Sequence, residues 1–133
     1  LIKAFTTFVR PLLEYASSVW CPYKAFLIEK IESVQRRFSK KLLGLKLFTY
    51  KERLEKLNLE SLETRRLKAD LTLYYKIINN FSHLDANELF TFVNNPATRG
   101  HKFKLLKSLC STNLELNKFN CRAVNAWNSL DES

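Results

Sequence analysis

The chain has 133 residues, of which 46% are hydrophobic and 26% charged, and it contains ten Phe, five Tyr and two Trp. So much core-forming material excludes a disordered tail, and the length suits one domain with a buried core. Two Gly and three Pro are too few for the many tight turns of a sandwich or barrel, so helices are favoured. A net charge of +9 indicates a polyanionic partner, most often nucleic acid.

The positive charge lies in two blocks. Residues 24–68 carry 13 Lys and Arg against 6 acids, and residues 99–122 carry 6 against 1. A near-neutral or acidic segment separates the two blocks. The sequence contains no Met, which we interpret as a sign that the chain is a fragment of a longer protein.

The first twenty residues are predicted to be helical and buried on most sides, because their apolar positions recur every three or four residues. Pro11 either kinks one long helix or lies in the first turn of a second, and Pro22 ends the element. Arg10 and Glu14, four residues apart, are placed to form an ion pair. The side chains expected to pack inward are Phe8, Leu12, Tyr15 and Val19.

The second predicted helix, about residues 26–45, has the clearest amphipathic pattern, and Gly44 suits a left-handed cap at its end. Arg36, Arg37 and Lys40 fall nearly opposite the apolar stripe, with Lys41 at the flank. The stripe predicted to face the core consists of Leu27, Ile31, Val34, Phe38, Leu42 and Leu45.

A capping box formed by Thr49 and Glu52 predicts a short helix over 50–57, followed by a turn near Asn58. Ser61 is predicted to cap a long helix over about 62–80, with Arg65, Lys68 and Lys76 pointing away from the core. Its core-facing stripe consists of Leu67, Leu71, Tyr74, Ile77, Ile78 and Phe81.

The last third of the chain predicts a short helix over 85–92, a loop containing Pro96 and Gly100, and a terminal helix built on Phe119, Trp127 and Leu130. The run "FKLLKSLCSTNLEL" fits a strand or a helix. The predicted fold is all-α, an irregular bundle of about four to six helices with a loop-rich segment near residues 93–117. Residues 1–92 form one region, and 93–133 form a basic loop and terminal helix in the same or an appended module.

No arrangement of side chains for catalysis or metal binding is found in the sequence, which predicts no catalytic and no metal-binding residue. His83 and His101 are predicted to be solvated loop residues, and Asp70 an ion-pair partner at or near the surface. The three cysteines lack zinc or disulfide-scaffold spacing, so reduced, mostly buried thiols in an intracellular protein are expected. No apolar run is long enough to suggest a membrane span.

The segment "VQRRFSKKLL" is the best functional candidate, because cations on one side of a helix can follow phosphates at successive turns. A solvated basic face is the alternative, and the second basic block "TRGHKFKLLK" favours binding. Five aromatic residues are candidates for base stacking or for core packing: Trp20, Tyr23, Tyr74, Tyr75 and Trp127. Core packing is the preferred interpretation, and both tryptophans are assigned to it.

The ordered blocks "FVRPLLEYASSVWCPY", "KIESVQRRFSKKLLGL", "YKERLEKLNLESLETRRLKADLTLYYKI", "TRGH" and "NAWNSL" resemble the carboxyl-terminal portion of reverse transcriptases of jockey-like non-LTR retrotransposons (LINEs). The resemblance covers nearly the whole chain. "SLDES" stands where the family commonly has a proline after "WNSL". The positions that match family blocks are Arg10, Pro11, Glu14, Tyr15, Gln35, Arg36, Arg37, Leu59, Leu62, Arg65 and Arg66.

The resemblance implies the thumb and the segment after it, a helical region that holds the template–primer duplex. The parent polymerase would use magnesium and deoxynucleoside triphosphates in the nucleus and cytoplasm, but its metal-binding aspartates lie outside this stretch, which needs no cofactor. The expected partners are RNA template, RNA–DNA hybrid and the palm and fingers of the same polypeptide, with no membrane. The residues expected to contact nucleic acid are Arg36, Arg37, Lys40, Lys41, Arg65, Lys68, Arg99 and Lys102.

The alternative is a non-catalytic structural or interaction module, the remnant of a degenerate element. Its helices would pack against a missing palm or against each other. The apolar breadth of residues 1–20 motivates this alternative, because it exceeds what a domain of this size easily buries. An independent enzyme is disfavoured because no acid–base, nucleophile or metal arrangement is present.

Overall fold

The computed structural model describes residues 1–94 and 101–131, and these residues are mostly helical with two short strands. The predicted all-α, irregular fold is thus confirmed. The chain divides into two compact units, Leu1–Leu67 and Lys68–Ser133. The division predicted between residues 92 and 93 is a different one and stays a prediction.

The first unit is built from short helical segments at its start and longer helices after them. A π-helical turn, Phe5–Val9, is followed by the helix Arg10–Glu14. Pro11 lies in the first turn of this helix, where a missing N–H is tolerated. The helices in chain order are α1 (Ile2–Ala4), α2 (Arg10–Glu14), α3 (Ser17–Trp20), α4 (Ala25–Lys41), α5 (Tyr50–Leu57) and α6 (Leu62–Ile78), of which α6 continues into the second unit.

The first twenty residues are mostly helical as predicted, with a break at Tyr15 and the left-handed Ala16, but the prediction that their apolar side chains pack inward is wrong. Phe8, Leu12, Tyr15 and Val19 are between 71% and 87% exposed. Phe5 is the apolar side chain of this stretch that becomes buried, and it stacks on Phe38 with 4.1 Å between ring centroids. The segment carries apolar residues on more sides than one partner element covers, so the outer sides meet solvent.

The buried face of α4 also differs from the prediction. Glu32, Gln35 and Ser39 are its buried residues, whereas Leu27 and Val34 are exposed. At 3.6 residues per turn, these buried positions lie ~90° around the helix from the predicted apolar stripe. The predicted stripe is therefore a half-covered flank of α4 and not its core face.

Hydrogen bonds across a polar seam explain this orientation of α4. We define the polar seam as Glu32, Gln35 and Ser39 of α4 with Tyr50 and Arg53 of α5. The Glu32 carboxylate accepts the backbone N–H of the first residue of α6 at 3.0 and 3.1 Å and the hydroxyl of Tyr50. The Gln35 amide donates to the Glu60 carbonyl at 2.9 Å and to Tyr50 Oη at 3.1 Å.

The other end of the seam depends on Arg53, which is buried. Its Nε donates to Ser39 Oγ at 3.1 Å, and its Nη1 donates to the Phe48 carbonyl at 2.6 Å. Burial raises the pKa of Tyr50, and its hydrogen bond to Glu32 acts in the same direction. The phenol therefore stays protonated and keeps donating at any physiological pH.

The local signals predicted for α5 and α6 are confirmed. Thr49 and Glu52 form the capping box, and Asn58 ends α5 with a left-handed φ of 50°. Ser61 Oγ accepts the N–H of Thr64 at 3.1 Å, as a cap of α6 does. The prediction that Gly44 caps the preceding helix is wrong: α4 ends at Lys41 with Leu42 as an extended C-cap, and Gly44, with a left-handed φ of 78°, lies in the turn that follows.

In the described residues, the second unit joins the rest of α6 to a small antiparallel β-pair and four short helices. Its elements are α7 (Ala86–Leu89), β1 (Thr91–Phe92), β2 (Leu105–Leu106), α8 (Asn113–Leu116), α9 (Phe119–Arg122) and α10 (Val124–Asn128). The run that fitted a strand or a helix contains both, β2 and then α8. Outside these two elements, residues 101–117 are irregular, as predicted for a loop-rich segment.

The core of the second unit surrounds Tyr74 of α6. Tyr74 is fully buried, packs on Phe90 and Trp127, and donates its hydroxyl to the Phe119 carbonyl at 2.5 Å. The side-chain amide of Asn128 extends the edge of β2, since it accepts from the Leu105 N–H at 2.9 Å and donates to the Leu105 carbonyl at 2.8 Å.

The predicted core stripe of α6 is confirmed in its middle and wrong at its ends. Tyr74, Ile77 and Ile78 are buried, whereas Leu67 is 40% and Phe81 70% exposed. No helix in the two described ranges is both long enough and apolar enough to cross a membrane.

A buried ion pair completes the second unit. Asp70 is 3% exposed, and its two oxygens accept from Arg122 Nε and Nη2 at 2.7 and 2.8 Å. Asp70 is thus an ion-pair partner as predicted, although it is buried and its partner is 52 residues away. Two parallel charge-assisted hydrogen bonds make this pair geometrically specific.

Replacing Glu32 with Ala is expected to lower the free energy of unfolding by about 3 kcal/mol, because it leaves buried donors of Leu62 and Tyr50 without their acceptor. Urea unfolding followed by circular dichroism measures the change. Glu29→Ala, which removes an exposed carboxylate from the same helix, is expected to cost less than about 1 kcal/mol. Equal losses in the two variants would contradict the structural role of the polar seam.

Replacing Asp70 with Ala is expected to cost about 3–5 kcal/mol, because the Arg122 guanidinium then stays buried without its carboxylate. Thermal and urea unfolding measure the loss. Glu88→Ala, at an exposed carboxylate of the same unit, is expected to change stability by less than about 0.5 kcal/mol. Asp70→Leu combined with Arg122→Met should recover part of the loss; no recovery would argue against an unpaired charge as its cause.

Candidate nucleic-acid interface

Three of the predicted nucleic-acid contacts share one open face of α4. Arg37, Lys40 and Lys41 are exposed, and their positions span an arc of about 100° around the helix. Among the described residues, no side chain forms an ion pair or hydrogen bond with any of the three. Their charges are therefore available to an anion from solvent.

Lys30 extends this face and was missed by the sequence reasoning. It is exposed and lies seven residues before Arg37 and eleven before Lys41, spacings that return to the same side of a helix. We call Lys30, Arg37, Lys40 and Lys41 the α4 basic stripe. It extends ~17 Å along the helix axis, at 1.5 Å per residue. The seven- and eleven-residue spacings were the signal that could have found Lys30.

Arg36, although next to this stripe, is already paired. Its guanidinium makes a two-point ion pair with Glu29, in which Nη2 donates to Oε2 at 3.0 Å. The guanidinium also lies over the Tyr50 ring at 5.0 Å. Arg36 therefore adds less net positive charge to the surface than its three predicted companions, and its contact with nucleic acid stays a prediction.

Arg65 is paired in a similar way within the first unit. Its guanidinium makes a two-point ion pair with Glu14, with Nη2 donating to Oε2 at 2.9 Å, and the hydrogen bond to Glu14 raises the pKa of Arg65. Arg10 Nε lies 3.9 Å from the same carboxylate, so the predicted Arg10–Glu14 pair is confirmed. Two arginines thus share one carboxylate, and the cluster keeps about one net positive charge.

The remaining predicted contacts lie in the second unit or outside the described residues. Lys68 is exposed on α6. Lys102 is exposed, and its ammonium nitrogen lies 5.1 Å from the centroid of the Phe103 ring. Arg99 falls within residues 95–100 and so lies outside the described ranges.

The second unit holds a partly open cavity of about 410 Å³. His101 lies at this cavity, so the prediction that it is a solvated residue is wrong. The residue is half-buried, its Nε2 lies 2.9 Å from the Trp127 carbonyl oxygen, and its ring meets the Trp127 ring edge-on. His83 is exposed as predicted. The cavity is lined by Tyr75, Asn79, His101, Lys102, Phe103, Trp127, Leu130 and Asp131.

The aromatic candidates for base stacking divide by burial. Tyr74 and Trp127 are core residues, as predicted, whereas the assignment of Trp20 to packing is wrong because it is 41% exposed. Tyr23 and Tyr75 are also exposed. Trp20 is held at the surface by its own indole N–H, which donates to the Tyr15 carbonyl.

The exposed cations of the α4 basic stripe can attract anions from solvent. In the described part of the chain, no group of three His, Cys, Asp or Glu side chains is placed to hold a metal ion. The buried carboxylates of Glu32 and Asp70 are engaged in structural hydrogen bonds. No protein-family model, curated protein or solved structure matches the chain.

Proposed function

We propose that this chain is the thumb-like region of a non-LTR retrotransposon reverse transcriptase and that it holds template RNA or RNA–DNA hybrid. The observation that supports binding most directly is the α4 basic stripe, with its unpaired cations on one exposed helical face. The ordered resemblance of the sequence blocks supports the parentage. Magnesium, deoxynucleoside triphosphates and a nuclear and cytoplasmic location belong to the parent polymerase in this proposal.

The length of the stripe suits contact with a nucleic-acid backbone. A strand of duplex carries one phosphate per 3.4 Å of helix axis, so ~17 Å corresponds to about five phosphates. Lys and Arg at successive helical turns can each approach one of them without reading bases. A thumb needs this property, because it must hold whatever sequence is being copied.

The hydrogen bonds and ion pairs of the first unit support the same proposal. The polar seam fixes the rotation of α4, so the stripe faces outward whether or not an anion is bound. A preformed cationic surface loses less conformational entropy on binding than one that has to be assembled. The ion pairs of Arg36 and Arg65 leave the neighbouring cations to provide most of the attraction.

Neutralising the stripe is expected to weaken hybrid binding steeply. Converting Arg37, Lys40 and Lys41 together to Gln should raise the Kd for a labelled RNA–DNA hybrid by about two orders of magnitude near physiological salt. The slope of log K against log salt should become shallower by about 2 to 3. Fluorescence anisotropy over a salt series measures both quantities.

The matched control changes net charge equally but lies outside the stripe. Lys3, Lys24 and Lys51, each exposed, are converted together to Gln, and binding should weaken much less. Arg36→Gln should also have a smaller effect per residue, because Glu29 already balances that charge. Wild-type binding by the stripe variant, or equal weakening by the control, would overturn the assignment of the stripe.

The second candidate function is an interaction module, and the exposed apolar side chains at the start of the chain favour it. We define the apolar surface of the first unit as Phe8, Leu12, Tyr15 and Val19, each more than two-thirds exposed. Soluble monomers rarely expose large contiguous apolar patches. These side chains would pack against the palm of the same polypeptide or against a second copy of the chain.

Sedimentation velocity distinguishes this second function. The chain is expected to associate as its concentration rises, and conversion of Phe8, Leu12 and Val19 to Ser should shift it toward monomer without loss of helical signal. Because these positions are exposed, their replacement costs little folding energy. A clean monomer at all concentrations in the unaltered chain would count against an interaction module that self-associates.

A further inference from the structure

Two cysteines of the second unit lie close together. Cys110 Sγ and Cys121 Sγ are 3.9 Å apart, although eleven residues separate them in the sequence. Cys121 lies in α9 and is buried, whereas Cys110 is partly exposed in the turn before α8. The spacing in the sequence predicted neither a zinc site nor a disulfide framework, so this pairing is a product of the fold.

The segment between the two thiols is held in place by its own hydrogen bonds. Thr112 and Glu115 form a capping box at the start of α8, and the Ser111 N–H also donates to the Glu115 carboxylate at 2.9 Å. The hydrogen bonds from Ser111, and after them the one from Thr112, keep the pKa of Glu115 below its ordinary value. The residue directly before this cap is Cys110, so the cap limits how far its thiol can move from Cys121.

We propose that Cys110 and Cys121 are a reversible redox pair that forms an intramolecular disulfide on reaction with a small-molecule disulfide such as oxidised glutathione. A disulfide needs its sulfur atoms ~2.05 Å apart, so the two thiols must approach by nearly 2 Å. Side-chain rotation and a small shift of the exposed turn can supply such a movement. The pairing is independent of nucleic-acid binding.

The chemistry proceeds by two thiol–disulfide exchanges. The Cys110 thiolate, which is the more accessible, attacks one sulfur of the small disulfide, forms a mixed disulfide and releases one thiolate. The Cys121 sulfur, after losing its proton, then attacks Cys110 Sγ, closes the protein disulfide and releases the second thiolate. Two protein thiols are oxidised and one small disulfide is reduced to two thiols, so electrons and protons balance.

The order of attack follows from burial. Burial raises the pKa of Cys121, and its hydrogen bond with Cys110 acts in the same direction. Cys121 therefore holds less thiolate than an ordinary cysteine, and it is less accessible to solvent than Cys110. Both properties suit a resolving thiol. The resulting loop would link the turn before α8 to α9, which packs in the core of the second unit.

The test uses the full chain, reduced and then incubated at neutral pH with oxidised glutathione. Remaining thiols are alkylated, and peptides are mapped by mass spectrometry without reduction. A peptide linking Cys110 to Cys121 is expected, and dithiothreitol should separate it. The melting temperature of the oxidised chain should rise by several degrees, since the crosslink restricts the unfolded state.

Variants separate this pairing from adventitious oxidation. Cys121→Ser should accumulate the glutathione adduct at Cys110, whereas Cys110→Ser should leave Cys121 slow to react. Cys21→Ser should still form the linked peptide. The proposal is overturned if the folded unaltered chain yields no such peptide, or if links to Cys21 or between chains form equally fast.

Discussion

The Glu32 carboxylate is the constraint on which the first unit depends. Buried in α4, it accepts the N–H of the first residue of α6 and the hydroxyl of Tyr50, so it joins three helices at one point. A buried carboxylate without partners would cost several kcal/mol. Its position at the start of α6, where backbone N–H groups have no partner within the helix and the helix dipole is positive, stabilises the negative charge.

This constraint determines which surfaces of α4 meet solvent. Because a polar face points inward, the α4 basic stripe points outward and the predicted apolar stripe is left as a flank. The same unit therefore exposes both cations and apolar side chains. A region that holds a polyanion on one surface and packs against its own polypeptide on another would have this combination, which is why the two candidate functions are compatible.

The second unit depends on a different kind of interaction. Tyr74, Trp127 and their neighbours form an apolar core, and the Asp70–Arg122 pair joins α6 to α9 beside it. The two-point geometry of the pair fixes how α9 is rotated, and Cys121 lies next to Arg122 in that helix. The closeness of the two thiols thus follows from a salt bridge as well as from the local cap at Thr112.

The sequence by itself determined the local structure. The capping box at Thr49, the turn near Asn58 and the Arg10–Glu14 pair were predictable, because each involves residues at most four apart whose geometry one helix or turn defines. Only the tertiary structure decided which face of α4 is buried, since the partner of Glu32 is 30 residues away. It also decided that His101 meets Trp127 and that Phe8 stays exposed, because periodicity identifies an apolar face but not the element that covers it.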